Sequence, residues 1–317
     1  ELLWEIGFMY SDELGKTKEG TANYDQAFKI YTALRDTASM IDLKRNIAIN
    51  FKELKDGNKA KTAIAEAVKY GREWNKVEKL AYALDYEGSL HFSLGEFKKS
   101  IASYSESEKI YTGLKDTARL ISTKRNIYKG YRENKDAKAA LAKIKEVFPL
   151  VKKDDYTHLT DAWWDMAFIH GKDYLNDPRK SIEYYTEAVK IYKLQNDTTN
   201  TATVLNNIGY QYRDLGDSVN AYKYHQQALT LTNVKHRMAE QADTHDRWAV
   251  TCKHFGNKEQ SLFHYRESAR LFKAAGNNHK SAQVLLNVGK GYAALKNYSK
   301  ANESYLQAVS EFNMLGD

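Results

Sequence analysis

A short glycine-lysine-threonine segment is the first candidate for chemistry. Gly15-Lys16-Thr17 has the ending of a nucleotide-binding phosphate loop. Such a loop needs a glycine five residues before Gly15, and Tyr10 stands there. The loop must also follow a strand, and no strand pattern precedes this one. We therefore expect no nucleotide site here.

The histidines and the single cysteine also lack the neighbours that catalysis or metal binding requires. His245, His254 and His264 are nine and ten residues apart, so they do not share a helical face at i, i+4, and no His-Glu-x-x-His occurs. Cys252 has only His254 nearby, and two residues of separation on a helix points that ring elsewhere. We expect no enzyme activity, no metal and no cofactor.

Composition narrows the class of protein. The chain has 317 residues, of which 42% are hydrophobic and 28% charged, a balance typical of a folded chain. The net charge of +7 is spread along the sequence rather than concentrated, so we expect no nucleic-acid partner. No apolar run is long enough to span a membrane. The chain starts at Glu1 without a methionine, and we expect it to be a piece of a longer protein.

Internal repeats are the elements that would position any site. A marker residue, usually small, recurs about every 40 residues at Gly7, Ala48, Gly88, Tyr128, Ala167, Gly209, Ala249 and Gly289. Apolar residues around the markers fall at i, i+3, i+4 and i+7, the helical period. The segment 30–47 is echoed 80 residues later by 110–127, which indicates duplication of a two-repeat block.

One unit carries the pattern most clearly, in residues 207–212 (Asn-Ile-Gly-Tyr-Gln-Tyr), 215–217 (Leu-Gly-Asp) and the pair Ala221 and Ala228. These residues resemble the tetratricopeptide repeat (TPR) family, in the long-repeat form of bacterial signalling and sensor proteins. The resemblance covers essentially the whole chain. It implies an all-α fold, a right-handed α-solenoid of about eight helical hairpins. We expect one array over 1–317, with repeats at about 1–36, 37–76, 77–116, 117–156, 157–198, 199–238, 239–278 and 279–317.

The resemblance also implies a concave groove lined by the first helix of each repeat. The position two before each marker then faces inward, and in every second repeat it holds asparagine, at Asn46, Asn126, Asn207 and Asn287. A row of amide groups, with donors and acceptors, could bind the backbone of an extended peptide. The same asparagines could instead bridge adjacent repeats, since the family pattern often has asparagine here. Both interpretations stay open.

Basic residues fall on the same predicted face. The position four residues after a marker holds a basic residue at Lys52, Arg132, Arg213 and Lys253. Arg45 and Arg125 stand immediately before two of the inward asparagines. Guanidinium and asparagine groups together suit a peptide that carries carboxylates, although such cations could simply be solvated. The lysine of chaperone-tail-binding TPRs is missing, because Asp42, Ser122, Thr203 and Gln283 occupy its positions. We therefore do not expect a carboxylate clamp of that type.

Aromatic residues complete the expectation. Trp163 and Trp164 are adjacent, so one should be in the core while Trp164 faces the groove as an anchor for a ligand side chain. His225 and Cys252 stand where other repeats have aromatic or aliphatic residues, and we expect both to be packed in the core.

The resemblance implies a non-enzymatic module that binds a protein or peptide segment, with an acidic segment as one option, as the sensor or interaction region of a bacterial signalling or regulatory protein. Such a region would be the cytoplasmic or periplasmic portion of its protein. Three alternatives stay open: a peptide-pheromone receptor of the Rap/PlcR type, a passive assembly scaffold, and an RNA-binding helical repeat. No sequence motif indicates the identity of the partner, the cellular compartment or the oligomeric state.

Overall fold

The computed structural model describes residues 1–233 and 236–315, and within them the regular structure is helical, without strands. The helices of this part are α1 Leu2–Phe8, α2 Thr17–Leu34, α3 Thr37–Glu53, α4 Gly57–Glu73, α5 Val77–Ser93, α6 Phe97–Leu114, α7 Thr117–Glu133, α8 Ala137–Lys145, α9 Tyr156–His170, α10 Pro178–Leu194, α11 Thr198–Asp214, α12 Ser218–Thr232, α13 Met238–His254, α14 Lys258–Ala274, α15 Asn278–Ala294 and α16 Tyr298–Met314. A π-helical turn (Met9–Glu13) follows α1, and a 3-10 turn (Phe148–Leu150) follows α8.

Each odd-numbered helix packs against the even-numbered helix that follows it, so the described residues form eight hairpins. Helical hairpins of this kind cannot bury their own apolar faces, and stacking neighbours completes the core. The prediction of an all-α array of about eight hairpins is confirmed.

Aspartate and asparagine in the turns set the helix starts. The Asp217 carboxylate accepts a hydrogen bond from the backbone N–H of Asn220 at 3.0 Å, which caps α12. The preceding Gly216 has a φ of +79°, a left-handed conformation that favours glycine. The same side-chain cap occurs at Asp36, Asp56, Asp116, Asp136, Asp155, Asp177, Asp197, Asn257, Asn277 and Asn297. The Leu-Gly-Asp motif is therefore a helix stop followed by a helix start.

The small marker residues mark the closest approach of the two helices in a hairpin. A Cβ on Gly289 would lie 2.4 Å from the ring of Tyr305, and a Cβ on Gly209 would lie 2.9 Å from the ring of His225. Real Cβ atoms do not approach other atoms so closely, so a larger residue would push the helices apart. At Gly209 and Gly289 the small marker is thus a packing requirement of the hairpin, whereas the fourth hairpin has Tyr128 at this position.

The chain divides into two compact units, 1–152 and 153–317, called unit 1 and unit 2 below. Unit 1 contains α1 to α8, and unit 2 contains α9 to α16. The largest core of unit 1 includes the buried residues Ile41, Leu43, Ile47, Ile64, Leu84 and Leu90. Unit 2 has cores that include Tyr185, Leu205, Ile208, Leu271, Phe272 and Val288. Within the described residues, no helix is both long and apolar enough to cross a membrane.

Candidate functional site

A cavity of about 440 Å³ opens in unit 2, lined mainly by α9, α11 and the segment between α9 and α10, with Arg247 from α13. We call it the unit 2 groove. Because the first helices of successive hairpins lie side by side, residues one repeat apart meet on its surface. Three residues predicted for a binding groove line it: Trp164 of α9, and Asn207 and Arg213 of α11. The structure therefore brings an indole, an amide and a guanidinium into one place.

A second arginine, Arg247 of α13, lies in the same groove. Its Nη1 donates a hydrogen bond to Oδ1 of Asn207 at 3.2 Å, and its guanidinium lies 5.6 Å from the ring centroid of Tyr210. Among the residues that the structure describes, no carboxylate comes within ion-pair distance of it. Arg247 thus brings a fixed guanidinium without a direct ion pair to the groove, although its charge acts on the buried carboxylate of Asp246, whose pKa burial and Asp243 raise and Arg247 lowers.

Arg213 is held differently. Its Nε and Nη2 both donate to Oδ1 of Asp214, at 3.0 and 2.8 Å, and its guanidinium lies 4.6 Å from the ring centroid of Tyr210. The Asp214 carboxylate neutralises this guanidinium locally. Burial raises the pKa of the Tyr210 hydroxyl to about 12, so the phenol between the two arginines stays neutral at physiological pH.

Aromatic rings form one wall of the unit 2 groove. Trp164 packs edge-on against Tyr185, with ring centroids 5.5 Å apart, and Phe168 packs against Tyr174 at 5.5 Å. Tyr174 lies in the segment between α9 and α10, which is longer than the matching turns of other hairpins. Trp163 instead stacks on Tyr184, with centroids 5.7 Å apart. The wall offers flat apolar surface to a ligand side chain.

One polar atom of the groove lacks a partner. Oε1 of Gln211 is buried and accepts no hydrogen bond from the described residues. A buried acceptor without a donor is unfavourable by about 1–3 kcal/mol, which a ligand N–H would relieve. The groove therefore has a free acceptor at Gln211 and a guanidinium without a direct ion pair at Arg247.

Each predicted asparagine lies beside a tyrosine of the preceding second helix. Asn46 lies close enough to the hydroxyl of Tyr24, and Asn207 to that of Tyr185, to favour the ionised form of each phenol, although burial raises the pKa of both. The other two, Asn126 and Asn287, each line a cavity together with the corresponding tyrosine, Tyr104 or Tyr265. The asparagines therefore lie where one hairpin meets the next, and Asn207 bridges two hairpins through its hydrogen bond with Arg247.

Unit 1 has its own cavity, of about 500 Å³, that includes the predicted residues Arg45 and Asn126. At its base the carboxylate of Asp85 accepts hydrogen bonds from the hydroxyls of Ser107 at 2.5 Å and Tyr111 at 2.8 Å. Burial raises the pKa of this carboxyl above its ordinary value. Arg45 lies 3.8 Å from Asp42, so its charge is partly compensated.

The remaining predicted cations lie outside both cavities. Lys52 is exposed on α3, and Arg125 is half-buried on α7. Arg132 donates twice to Oε1 of Glu133, at 2.9 and 2.7 Å. Lys253 lines a small cavity of about 70 Å³ with Asn287. The predicted basic residues therefore lie in several separate places and do not line one groove.

The predicted packing of His225 and Cys252 is confirmed, since both are fully buried. Burial lowers the pKa of His225 to about 3, and it raises the pKa of the Cys252 thiol to about 11. A thiol with so high a pKa is a poor nucleophile at neutral pH.

Most residues of the unit 2 groove were not among the predicted site residues, and these include Arg247, Gln211 and Tyr174. Arg247 occupies the inward position of its repeat, so the period alone could have selected it. Gln211 stands four residues after Asn207 on the same helical face, which is also a signal present in the sequence. Tyr174 lies outside a helix, and helical periodicity says nothing about it.

No protein-family profile and no curated protein sequence matches the chain. Solved structures do match in shape. The quorum sensor NprR from B. thuringiensis has 13% identity and a TM-score of 0.58, over 96% of this chain and 84% of NprR. RapI has 11% identity and a TM-score of 0.58, over 87% of this chain and 98% of RapI.

A third similar structure is a signal transduction ATPase with numerous domains, which carries a tetratricopeptide repeat sensor, from Pyrococcus horikoshii. It has 15% identity and a TM-score of 0.56, over 95% of this chain and 50% of that protein. At these identities the likeness concerns the fold. The chain has the fold of TPR-type helical-hairpin proteins, as the sequence predicts.

Proposed function

We propose that this chain is a non-enzymatic binding module that takes an extended peptide or protein segment in the unit 2 groove, through a carboxylate of that segment. The observation that carries the proposal is Arg247, a guanidinium without a carboxylate partner among the described residues, held by Asn207 beside an aromatic wall. Charge-assisted hydrogen bonds to carboxylate are among the strongest that a neutral-pH ligand can offer.

The other groups of the groove suit an extended backbone. A main-chain N–H of the ligand can donate to the free Oε1 of Gln211. The Trp164 and Tyr174 rings can hold an apolar side chain, since buried aromatic anchors carry much of the binding energy at interfaces. Arg213 contributes less charge than its position suggests, because Asp214 already occupies its Nε and Nη2.

The likeness in fold favours a peptide sensor as the finer assignment. NprR is described as a quorum sensor, and a Rap protein that matches with 12% identity and a TM-score of 0.50 is described as complexed with competence and sporulation factor. We therefore assign the chain as a sensor or interaction region of a bacterial signalling protein. A passive scaffold would need a large partner rather than a short peptide.

The experiment is a binding titration with two peptide pools. One pool holds fluorescein-labelled hexapeptides with glutamate at a fixed position, and the other is identical except for glutamine there. Fluorescence anisotropy is measured with the wild type, Arg247→Glu, and Lys223→Glu, which makes the same change of charge on an exposed part of α12. We expect the glutamate pool to bind the wild type and Lys223→Glu, and to bind Arg247→Glu about tenfold more weakly.

Equal binding of the two pools, or equal loss in both variants, would mean that carboxylate recognition at Arg247 is wrong. A large protein captured from source-cell lysate, with neither peptide pool binding, would favour the scaffold alternative.

A further inference from the structure

A second cavity of unit 2, of about 420 Å³, lies between α14 and α16 over one face of α15. We call it the α14–α16 groove. From α15 it uses Leu285, Val288 and Tyr292, whereas Asn287 faces a different, smaller cavity. At about 100° per residue these are separate faces of the helix. The α14–α16 groove is therefore distinct from the surface that carries the predicted asparagines.

The corresponding place in unit 1 is filled by an ion cluster. Lys124 of α7 pairs with Glu108 of α6, and Lys143 of α8 contacts both Glu108 at 3.2 Å and Glu146 at 3.0 Å. The four cluster residues can be matched to unit 2 by counting from the first residue of each helix. The matching positions in α14, α15 and α16 hold uncharged residues: Ala269, Leu285, Ser304 and Gln307. All four line the α14–α16 groove. Uncharged side chains in unit 2 thus stand at the positions that form the ion cluster in unit 1.

The rim of the α14–α16 groove carries unpaired positive charge. Arg270 is paired with Glu267 at 2.9 Å, and Lys273 is paired with Glu311 at 2.9 Å. Arg266 and Lys300 line the groove and have no ion pair with any residue that the structure describes. One further carboxylate, Glu303, also lines the groove, so the two cations outweigh it and the rim keeps a net positive charge. An occupant that brings carboxylates would supply the missing counter-ions.

A buried acceptor lies at the other end. Glu311 is only 3% exposed, and its Oε2 has no hydrogen-bond partner among the described residues. Lys273 already neutralises the charge of this carboxylate through Oε1. The group that fits Oε2 is therefore a neutral N–H donor rather than another cation. An anionic lipid or a free phosphate has no such donor, whereas a peptide backbone has one at nearly every residue.

The distance along the groove sets the length of the occupant. Lys300 and Glu311 lie eleven positions apart on α16, which at about 1.5 Å per residue is about 16 Å. An extended peptide covers that span with about five residues. A single amino acid is too short to reach both ends.

We propose that the α14–α16 groove binds a second extended peptide segment, acidic at the end near Arg266 and Lys300, with a main-chain N–H on Oε2 of Glu311 and an apolar side chain on Leu285 and Val288. This site is independent of the unit 2 groove, so the chain binds peptide on two faces of the same unit.

The test uses fluorescein-labelled pentapeptides with one central leucine and aspartate at one terminal position, and a matched pool with asparagine there. Anisotropy titrations compare the wild type with Arg266→Glu/Lys300→Glu, with Arg247→Glu, and with Lys223→Glu. A further variant, Ala269→Glu/Ser304→Lys, introduces two charged residues of the unit 1 cluster into the groove. Circular dichroism melts confirm that each variant is folded.

We expect the aspartate pool to bind the wild type and to bind Arg266→Glu/Lys300→Glu about tenfold more weakly. Binding should be lost in Ala269→Glu/Ser304→Lys and be kept in Lys223→Glu. Arg247→Glu should leave this component of binding unchanged, which separates the proposal from the unit 2 groove. No binding of the aspartate pool overturns the proposal, as does loss confined to Arg247→Glu or loss in Lys223→Glu.

Discussion

Nη1 of Arg247 and Oδ1 of Asn207 are joined by a hydrogen bond of 3.2 Å that connects equivalent positions of two successive repeats. Asn207 also lies beside Tyr185 of α10, the helix before it. Its hydrogen bond joins α11 to α13 and fixes the direction of a charged side chain. Asn207 can therefore have a structural and a binding role at once, because the hydrogen bond that joins the two repeats also holds the Arg247 guanidinium in the groove.

A carboxylate at position 207 should separate these two contributions. We expect Asn207→Asp to fold with a melting temperature near that of the wild type, because aspartate can still accept the hydrogen bond from Arg247. The new charge would neutralise the guanidinium, so affinity for the glutamate pool should fall about tenfold. Thermal melts and anisotropy titrations measure the two effects. Asn207→Ala serves as the comparison and should lose about 1 kcal/mol of stability. Full affinity in Asn207→Asp would contradict this role of the guanidinium.

The hairpin markers give a prediction about stability. We expect Gly289→Ala to destabilise the protein by about 1–3 kcal/mol, because its new Cβ would meet the ring of Tyr305 at 2.4 Å. Gly113 is the matched control. It lies in α6, and a Cβ added there would have no other atom within 4 Å, so Gly113→Ala should stabilise the helix by about 0.5–1 kcal/mol. Urea denaturation of both variants checks the signs, and equal effects would mean that close approach is not what the marker provides.

Buried histidines predict acid sensitivity. His264 stacks on Trp248 with centroids 4.2 Å apart, and its Nδ1 lies 2.9 Å from Nδ1 of His245. Burial, with a smaller effect from His245, lowers the pKa of His264 to about 4. The unfolded chain binds a proton near pH 6.5, so the native state loses stability as the pH falls from about 6.5 towards 4. We expect a loss on the order of 3 kcal/mol from this group over that range.

Urea denaturation at several pH values between about 7 and 4 measures this dependence. His264→Phe keeps a ring against Trp248 and cannot titrate, so its stability should depend less steeply on pH. An identical slope in the wild type and in His264→Phe would show that this imidazole does not contribute.

The helix caps give a more local prediction. Asp217→Ala removes the acceptor for the backbone N–H of Asn220, and we expect a loss of about 1 kcal/mol in the free energy of unfolding. Asp217→Asn retains a capping oxygen and should stay within a few tenths of a kcal/mol of the wild type. A melt of each variant tests this, and equal losses would mean that the charge, not the hydrogen bond, matters.

The repeat period predicted much of the fold because the packing rule is local. A glycine under Tyr305 and an aspartate at a helix start are visible in the sequence, since each is required by contacts within one hairpin. The site was less predictable. Arg247 stands next to Asp246 and near Asp243 in the sequence, which suggests a direct ion pair. Asp243 instead pairs with Lys280 of the next repeat at 2.9 Å, and Asp246 interacts with Arg247 only through its charge. The pairing of carboxylates with cations depends on side-chain geometry between repeats. The repeat period does not predict that geometry.

The cavities are a second feature that the repeat period does not predict. The α14–α16 groove is lined by Ala269 and Ser304, at the positions where unit 1 has Glu108 and Lys143. Each difference is unremarkable by itself, and only the packing of three helices turns the missing volume into a cavity. The volume of a cavity between three helices depends on how all three pack, so the sequence pattern of a single helix does not predict it.

The most direct test of peptide binding in the unit 2 groove is photo-crosslinking of a glutamate-containing hexapeptide that carries a benzophenone, followed by mass spectrometry of the linked fragments. We predict crosslinks to residues around Trp164, Asn207 and Arg247, which are lost in Arg247→Glu and kept in Lys223→Glu. Crosslinks that avoid α9, α11 and α13 altogether, or that persist in Arg247→Glu, would contradict binding in this groove through Arg247.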